Sequence, residues 1–305
     1  MRDEISKLLE KEGILSKESL KELSQLDIHK FFDNVKELGE EKTEHIQKEK
    51  ITKDLNTSFI GKEIYIFKEV MSTNTVAKFF AENKVSDGTV IISEKQTNAK
   101  GRSGKPWDSP LGGVWLSIIL NPRIDYSKLP MITLATGVAV AKTLERLGIE
   151  DVEIKWPNDV LINGEKVSGI LTEAIAKFNT IESIIVGVGL DVNLDLSDFS
   201  DDLQGKITSL KVITGKEFDE NDIIKAFLEE FEKICKLFID GEYENVLNQW
   251  RKRSYTIGKI VEVRKPYNKT YDGYVTGINK EGALIVEKID GTLEKVVSGE
   301  CIIKN

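Results

Sequence analysis

The sequence predicts a mixed α/β protein, with a short helical region before it and a small all-β unit after it. Three observations carry that prediction. From about residue 51, apolar strands alternate with amphipathic helices. Residues 1–50 show only helix-period patterns, and residues 256–305 only short strands between glycine turns. The expected divisions are therefore 1–50, 51–255 and 256–305.

Within residues 1–50, Ile5, Leu8 and Leu9 recur at helical spacing, Gly13 punctuates, and Ser16 can cap the next run. A third helix follows Asp27, with Ile28, Phe31, Phe32, Val35 and Leu38 on one face. Three short helices with two tight turns fit a helix-turn-helix. Residues 27–41 nevertheless carry two lysines against five acids, a net of −3. Phosphate contacts need Lys or Arg, so DNA binding is not expected of this region. Next come a strand at EIYIFKEV, a helix opened by STN, strands at GTVIISEKQ and VWLSIILNP, and a long helix closed by Gly148. VEIKWPND ends a strand, and VLINGEKVSGILTEAI reads as a hairpin turned at Asn163-Gly164. ESIIVGVGLDVN is a buried strand, and residues 221–254 are helical.

Composition excludes several classes. The 305 residues hold 43 Lys+Arg against 51 Asp+Glu, a net charge of −8, which makes the chain as a whole a poor partner for polyanions. Cys235 and Cys301 form no paired motif, which fits a reducing cytoplasm rather than a disulfide framework. No apolar run approaches the roughly 20 residues that span a bilayer, so no membrane association is expected. The histidines, His29 and His45, both precede residue 51. The remainder cannot host a histidine triad or a histidine-ligated metal. Its chemistry must come from Lys, Arg, carboxylates, amides and backbone.

Five segments stand out. QTNAKGRSGKPW places Lys100, Arg102 and Lys105 among glycines with no acid. It reads as a solvated turn or as a loop that closes on an anion, with Trp107 as a pocket wall. In KWPND, Lys155 stands near a strand end, where open-sheet sites gather. Asn158 supplies a donor and an acceptor suited to a base edge; the alternative is a surface lysine in a tight turn. SGILTE precedes VGVGLDVN, whose Gly187 and Gly189 serve sheet packing or a close ligand approach. STN is a helix cap or a polar ligand contact.

Taken in order, STN, EKQxxxKGRxGxxW, KWPND, K-x-x-GIL-x-E and GxGxxVN resemble the biotin protein ligases, over roughly residues 51–305. That resemblance implies a class II synthetase-like biotin/lipoate ligase catalytic domain and a C-terminal SH3-like barrel. It implies activation of biotin with MgATP to biotinyl-5′-AMP, then transfer to a lysine of a biotin carboxyl carrier domain. It implies that Ser72, Thr73, Asn74 and Gln96 hold the biotin ureido group. Lys100, Gly101 and Arg102 would close over biotin and the phosphate, and Lys155 would contact both reacting anions. Lys155 and Arg102 are thus the expected catalytic pair. Asn158 and Asn193 would read adenine, Trp107 would pack near the nucleotide, and Asp159 would orient its motif or help hold magnesium. A homodimer is also implied. Ser103 and Pro106 stand where the family loop often carries basic residues. The competing expectations are a lipoate-type ligase and a biotin-sensing repressor; a gel shift at low salt discriminates the latter.

Overall fold

The computed structural model describes residues 35–37, 39–40, 43–121, 126–177, 180–198, 205–265 and 269–304. Most of the helical region read over residues 1–50 lies outside them. The elements are α1 (Lys48–Thr52), β1 (Ile64–Val70), α2 (Thr73–Glu82), β2 (Val90–Gln96), β3 (Val114–Leu120) and α3 (Leu129–Arg146). Then follow β4 (Val152–Lys155), β5 (Asp159–Ile162), β6 (Glu165–Lys177), β7 (Thr180–Leu190), α4 (Leu210–Thr214), α5 (Glu220–Ile239) and α6 (Tyr243–Arg251). The C-terminal strands are β8 (Ile260–Lys265), β9 (Lys269–Ile278), β10 (Leu284–Lys288), β11 (Leu293–Val296) and β12 (Glu300–Ile303).

One seven-stranded sheet runs β1-β2-β3-β7-β6-β5-β4, parallel only between β1 and β2. Its inner strands are apolar at consecutive positions because helices cover both faces. Ile64, Ile66, Val90, Ile92, Ile118 and Ile184 face one core, against α3 and α5. Tyr65, Phe67, Ile91, Ile119 and Ile185 face the other, against Phe79 and Phe80 of α2. The β5–β6 hairpin turns at Asn163 and Gly164, both at positive φ, as the Asn-Gly pair predicts. The helical run over 221–254 divides into α5 and α6 because Gly241 takes φ +78°.

The C-terminal strands form a five-stranded antiparallel sheet, β11-β10-β9-β8-β12, the expected SH3-like unit. It is fastened to the catalytic sheet. Trp156 Nε1 donates to the Gly282 carbonyl at 3.1 Å, and its backbone N–H donates to Thr256 Oγ1 at 2.9 Å.

The expected boundary at residue 50 falls inside α1. Ile46 and Ile51 are 1% and 0% exposed and lie in the main core. The N–H groups of His45 and Ile46 donate to the buried Glu94 carboxylate, and that of Gln47 donates to Asn221. Residues 43–52 therefore belong to the catalytic unit. Among the described residues, no helix is long and apolar enough to cross a membrane.

Candidate active site

On the face that packs against α2, β6 and β7 carry glycines where the sheet leaves that helix. Cross-strand register puts Ser117, Gly187 and Leu171 in one row and Trp115, Gly189 and Gly169 in the next. The space so made receives two side chains. A Cβ on Gly187 would come within 2.2 Å of Asn74 Oδ1, and one on Gly189 within 2.6 Å of Trp107 Nε1. Gly169 likewise lies under the indole, with 2.9 Å to Trp107 Cζ3 from a Cβ there. The Gly-x-Gly of β7 thus seats Asn74 and Trp107 on the sheet.

A continuous polar network lines this floor. Ser72 occupies the N-cap of α2, yet its hydroxyl makes no capping bond. The Thr73 N–H donates to Gln96 Oε1 at 2.8 Å, and Gln96 Nε2 donates to Ser109 Oγ at 2.9 Å. The Ser117 hydroxyl lies 2.8 Å from Thr73 Oγ1 and 2.6 Å from Asn74 Oδ1. Asn74 Nδ2 donates to Glu173 Oε2 at 2.8 Å, and Lys78 holds the other oxygen at 2.7 Å.

The loop after β2 rises from this floor as a small hairpin. Its ends pair through Gly101 N–H to Lys105 C=O and Trp107 N–H to Ala99 C=O. Ser103 and Gly104 turn its tip at positive φ. Arg102 donates to Asn158 Oδ1 at 3.2 Å and to the Gly299 carbonyl at 3.1 Å. Lys105 pairs with Glu300. Burial lowers the Arg102 pKa, with Asp159 and Glu300 opposing. Burial also pushes the Cys301 thiol up to about 11, against the neighbouring charges of Lys155 and Arg102.

These elements enclose a cavity of about 360 Å³. Ser72, Thr73, Asn74, Gln96, Lys100, Gly101, Arg102, Trp107, Lys155, Asn158 and Asp159 all line it. Asn193 does not. Its Nδ2 donates to Phe218 C=O and Glu220, and its Oδ1 accepts from the Phe218 N–H. That amide holds the segment before α5, a partner that spacing within its own motif does not reveal. Asn158 reaches the cavity, but its Nδ2 donates to the Ile170 carbonyl while its Oδ1 takes Arg102.

Asp159 sits 2.6 Å from the Lys166 ammonium. Among the described residues, no group of three or more His, Cys, Asp or Glu side chains could hold a metal. Lys166 also lies 4.9 Å from the Trp107 ring centroid. Lys166, Asp191, Glu300 and Cys301 line the cavity as well, and motif reading gave them no role. Lys166 opens the K-x-x-GIL-x-E motif, which was its signal in the sequence, whereas Asp191, Glu300 and Cys301 reach the cavity only through the tertiary fold.

Two family models match the chain. The Biotin/lipoate A/B protein ligase family covers residues 66–191, and the Biotin protein ligase C terminal domain covers 256–304. The bifunctional ligase/repressor BirA of Bacillus subtilis is 35% identical over 247 residues, covering 81% of this chain and 75% of that protein. The chain belongs to the biotin protein ligase family of enzymes. A second family member, the biotin–[acetyl-CoA-carboxylase] ligase of Mycobacterium tuberculosis, is 30% identical over 224 residues, 71% of this chain and 79% of that one. The solved biotin protein ligase of Aquifex aeolicus in complex with biotin and ATP superposes with a TM-score of 0.70 at 28% identity. It covers 80% of this chain and 99% of its own.

Proposed function

We propose that this ligase activates biotin with ATP to biotinyl-5′-AMP and transfers biotin to a lysine of a biotin carboxyl carrier domain. The observation that carries this reading is one cavity with a hydrogen-bonding floor and a cationic rim. Lys100, Arg102, Lys105, Lys155 and Lys166 all line it. The Aquifex relative's complex with biotin and ATP supports the same substrates here.

The chemistry needs no enzyme nucleophile. A biotin carboxylate oxygen attacks the α-phosphorus, a new P–O bond forms, and pyrophosphate leaves. Bringing two anions together is the barrier, and fixed cations offset the repulsion and stabilise the charge on the phosphoryl oxygens. Lys155, at the end of β4, and Arg102, at the loop tip, are the residues for that role. Thr73, Asn74 and Gln96, each oriented by a buried partner, hold the ureido group. Lys100 and Gly101 close the loop over both ligands. In the second step the carrier amine attacks the anhydride carbonyl, the C–O bond to AMP breaks, and AMP departs. Magnesium enters with the triphosphate as part of the substrate. The Lys166–Asp159 pair suits Asp159 to orienting its motif rather than to binding that ion.

The test is to incubate the chain with biotin, MgATP and a carrier domain, beside Lys155→Ala, and to weigh the carrier by mass spectrometry. The expected result is a gain of one biotin that the variant loses. If no biotinyl-AMP forms in the wild-type reaction, the ligase reading fails. Lipoate replacing biotin as the activated acid would move the chain to the related lipoate-type reaction.

A further inference from the structure

Glu173 closes the K-x-x-GIL-x-E motif, and the reaction described above gives it no task. It stands on β6 behind the cavity, not among the residues that line it. Its two carboxylate oxygens are divided. Oε1 accepts from the Lys78 ammonium of α2 at 2.7 Å, and Oε2 accepts from Asn74 Nδ2 at 2.8 Å. The Leu171 carbonyl lies 3.4 Å from the same amide nitrogen. Both neighbours can only accept, so the Asn74 amide is held one way round, with Oδ1 toward Ser117. Turned over, it would set its oxygen against the carboxylate.

The remaining donors follow by count. Asn74 Oδ1 can only accept, so the fully buried Ser117 hydroxyl, 2.6 Å away, spends its one proton there. The 2.8 Å contact between Ser117 and Thr73 Oγ1 then takes the Thr73 proton. Thr73 Oγ1 also lies 3.2 Å from Gln96 Oε1, which accepts from the Thr73 N–H. With the Thr73 hydroxyl proton committed to Ser117, none stands between these two oxygens. Thr73 and Gln96 both line the cavity, so a ligand there meets two acceptors 3.2 Å apart. Such a pair attracts N–H groups and repels a ligand oxygen. If the Asn74 amide were reversed, every link would turn: Asn74 would donate to Ser117, Ser117 to Thr73, and Thr73 to Gln96, filling the Gln96 oxygen.

We propose that Glu173 is a positioning residue: it sets the direction of this hydrogen-bond chain, and so makes the cavity floor select a ligand that carries N–H groups. This rests on the ligase reading above, in which the ureido ring of biotin supplies two of them. Glu173 acts through Asn74 and Ser117 without touching the ligand, and Lys78 steadies its carboxylate from the other side.

Calorimetric titration of the full chain tests this, using wild type, Glu173→Leu and Glu173→Gln. The ligands are biotin, ATP and the two cyclic carbamates in which a ring oxygen replaces one ureido N–H of biotin. The wild type should prefer biotin over at least one carbamate by about tenfold or more, since that ring oxygen faces acceptors. Glu173→Leu should lose about tenfold in biotin affinity and most of that preference, with ATP affinity unchanged. Glu173→Gln keeps an oxygen that accepts from Asn74 Nδ2, and should restore both the affinity and the preference. A leucine variant that matches the wild type overturns the proposal. So does one that weakens biotin and both carbamates by the same factor, which marks a purely structural role. A glutamine variant that behaves like leucine also overturns it, because charge and not the acceptor would then matter. Wild type that binds ATP but no biotin sinks the ligase reading and this inference together. Wild type that binds biotin and both carbamates equally sinks only the inference.

Discussion

At the scale of single residues, absence of side chain matters as much as presence. Gly187 and Gly189 have extended backbones that any residue could adopt; what they supply is room. Gly187→Ala would put a methyl 2.2 Å from Asn74 Oδ1 and so push the Asn74 amide off its contacts with Ser117 and Glu173. The strand itself tolerates alanine. Steady-state kinetics should therefore show KM for biotin rising by about tenfold or more, with the melting temperature little changed. A large fall in melting temperature with an unchanged biotin KM would show that Gly187 serves packing alone.

At the scale of elements, two acids show how burial decides what an ion pair does. Glu232 of α5 is 3% exposed and accepts from the N–H groups of Ser58, Phe59 and Ile60, with Lys236 alongside. Burial alone would raise its pKa. Hydrogen bonds from Lys236 and those N–H groups outweigh burial and hold it at about 2, against an ordinary 4.5. Its folded pKa is depressed, so its contribution is full above about pH 4.5 and fades as pH falls toward 2. The shift corresponds to on the order of 3 kcal/mol. Denaturant unfolding of Glu232→Gln should show a deficit at pH 7 that shrinks by about pH 3.

The Lys105–Glu300 pair is the opposite case. Its side chains are 65% and 39% exposed, so it adds about 0–1 kcal/mol to global stability. What it does is tie the tip of the site loop to β12. Glu300→Ala should leave the melting temperature within about 2 °C while speeding proteolytic cleavage within residues 99–107. Unchanged cleavage would mean that Arg102 and the loop's own hairpin bonds suffice.

At the scale of the whole molecule, the active cavity depends on two units staying docked. The catalytic sheet supplies the floor and Lys155; the C-terminal sheet supplies Glu300, Cys301 and Ile302 to the wall. Trp156, 3% exposed, bridges them through Gly282 and Thr256. Trp156→Ala should cost about 3–5 kcal/mol, the range for a buried large-to-small change. Because Trp156 adjoins Lys155, biotin activation should fall even at temperatures where the protein stays folded. Full activity in the folded variant would show that docking of the two sheets is dispensable.

The sequence by itself determined the element order, the catalytic sheet's strands, the Asn163-Gly164 hairpin and the motif residues that line the cavity. Those are local properties: period, turn chemistry and short spacings act between neighbours in the chain. Tertiary structure decided the rest. Asn193 belongs to a motif by spacing, but the segment before α5 claims its amide, while Asp191, two residues earlier, faces the cavity. Glu173, Ser117 and Lys166 acquire their positions from strand register, and register comes from pairing across residues far apart in sequence. Residues 43–52 join the catalytic unit because Glu94 and Asn221, 48 and 174 residues from their partners, satisfy that segment's N–H groups. Burial and partner choice are properties of the assembled fold, so no local pattern could have announced them.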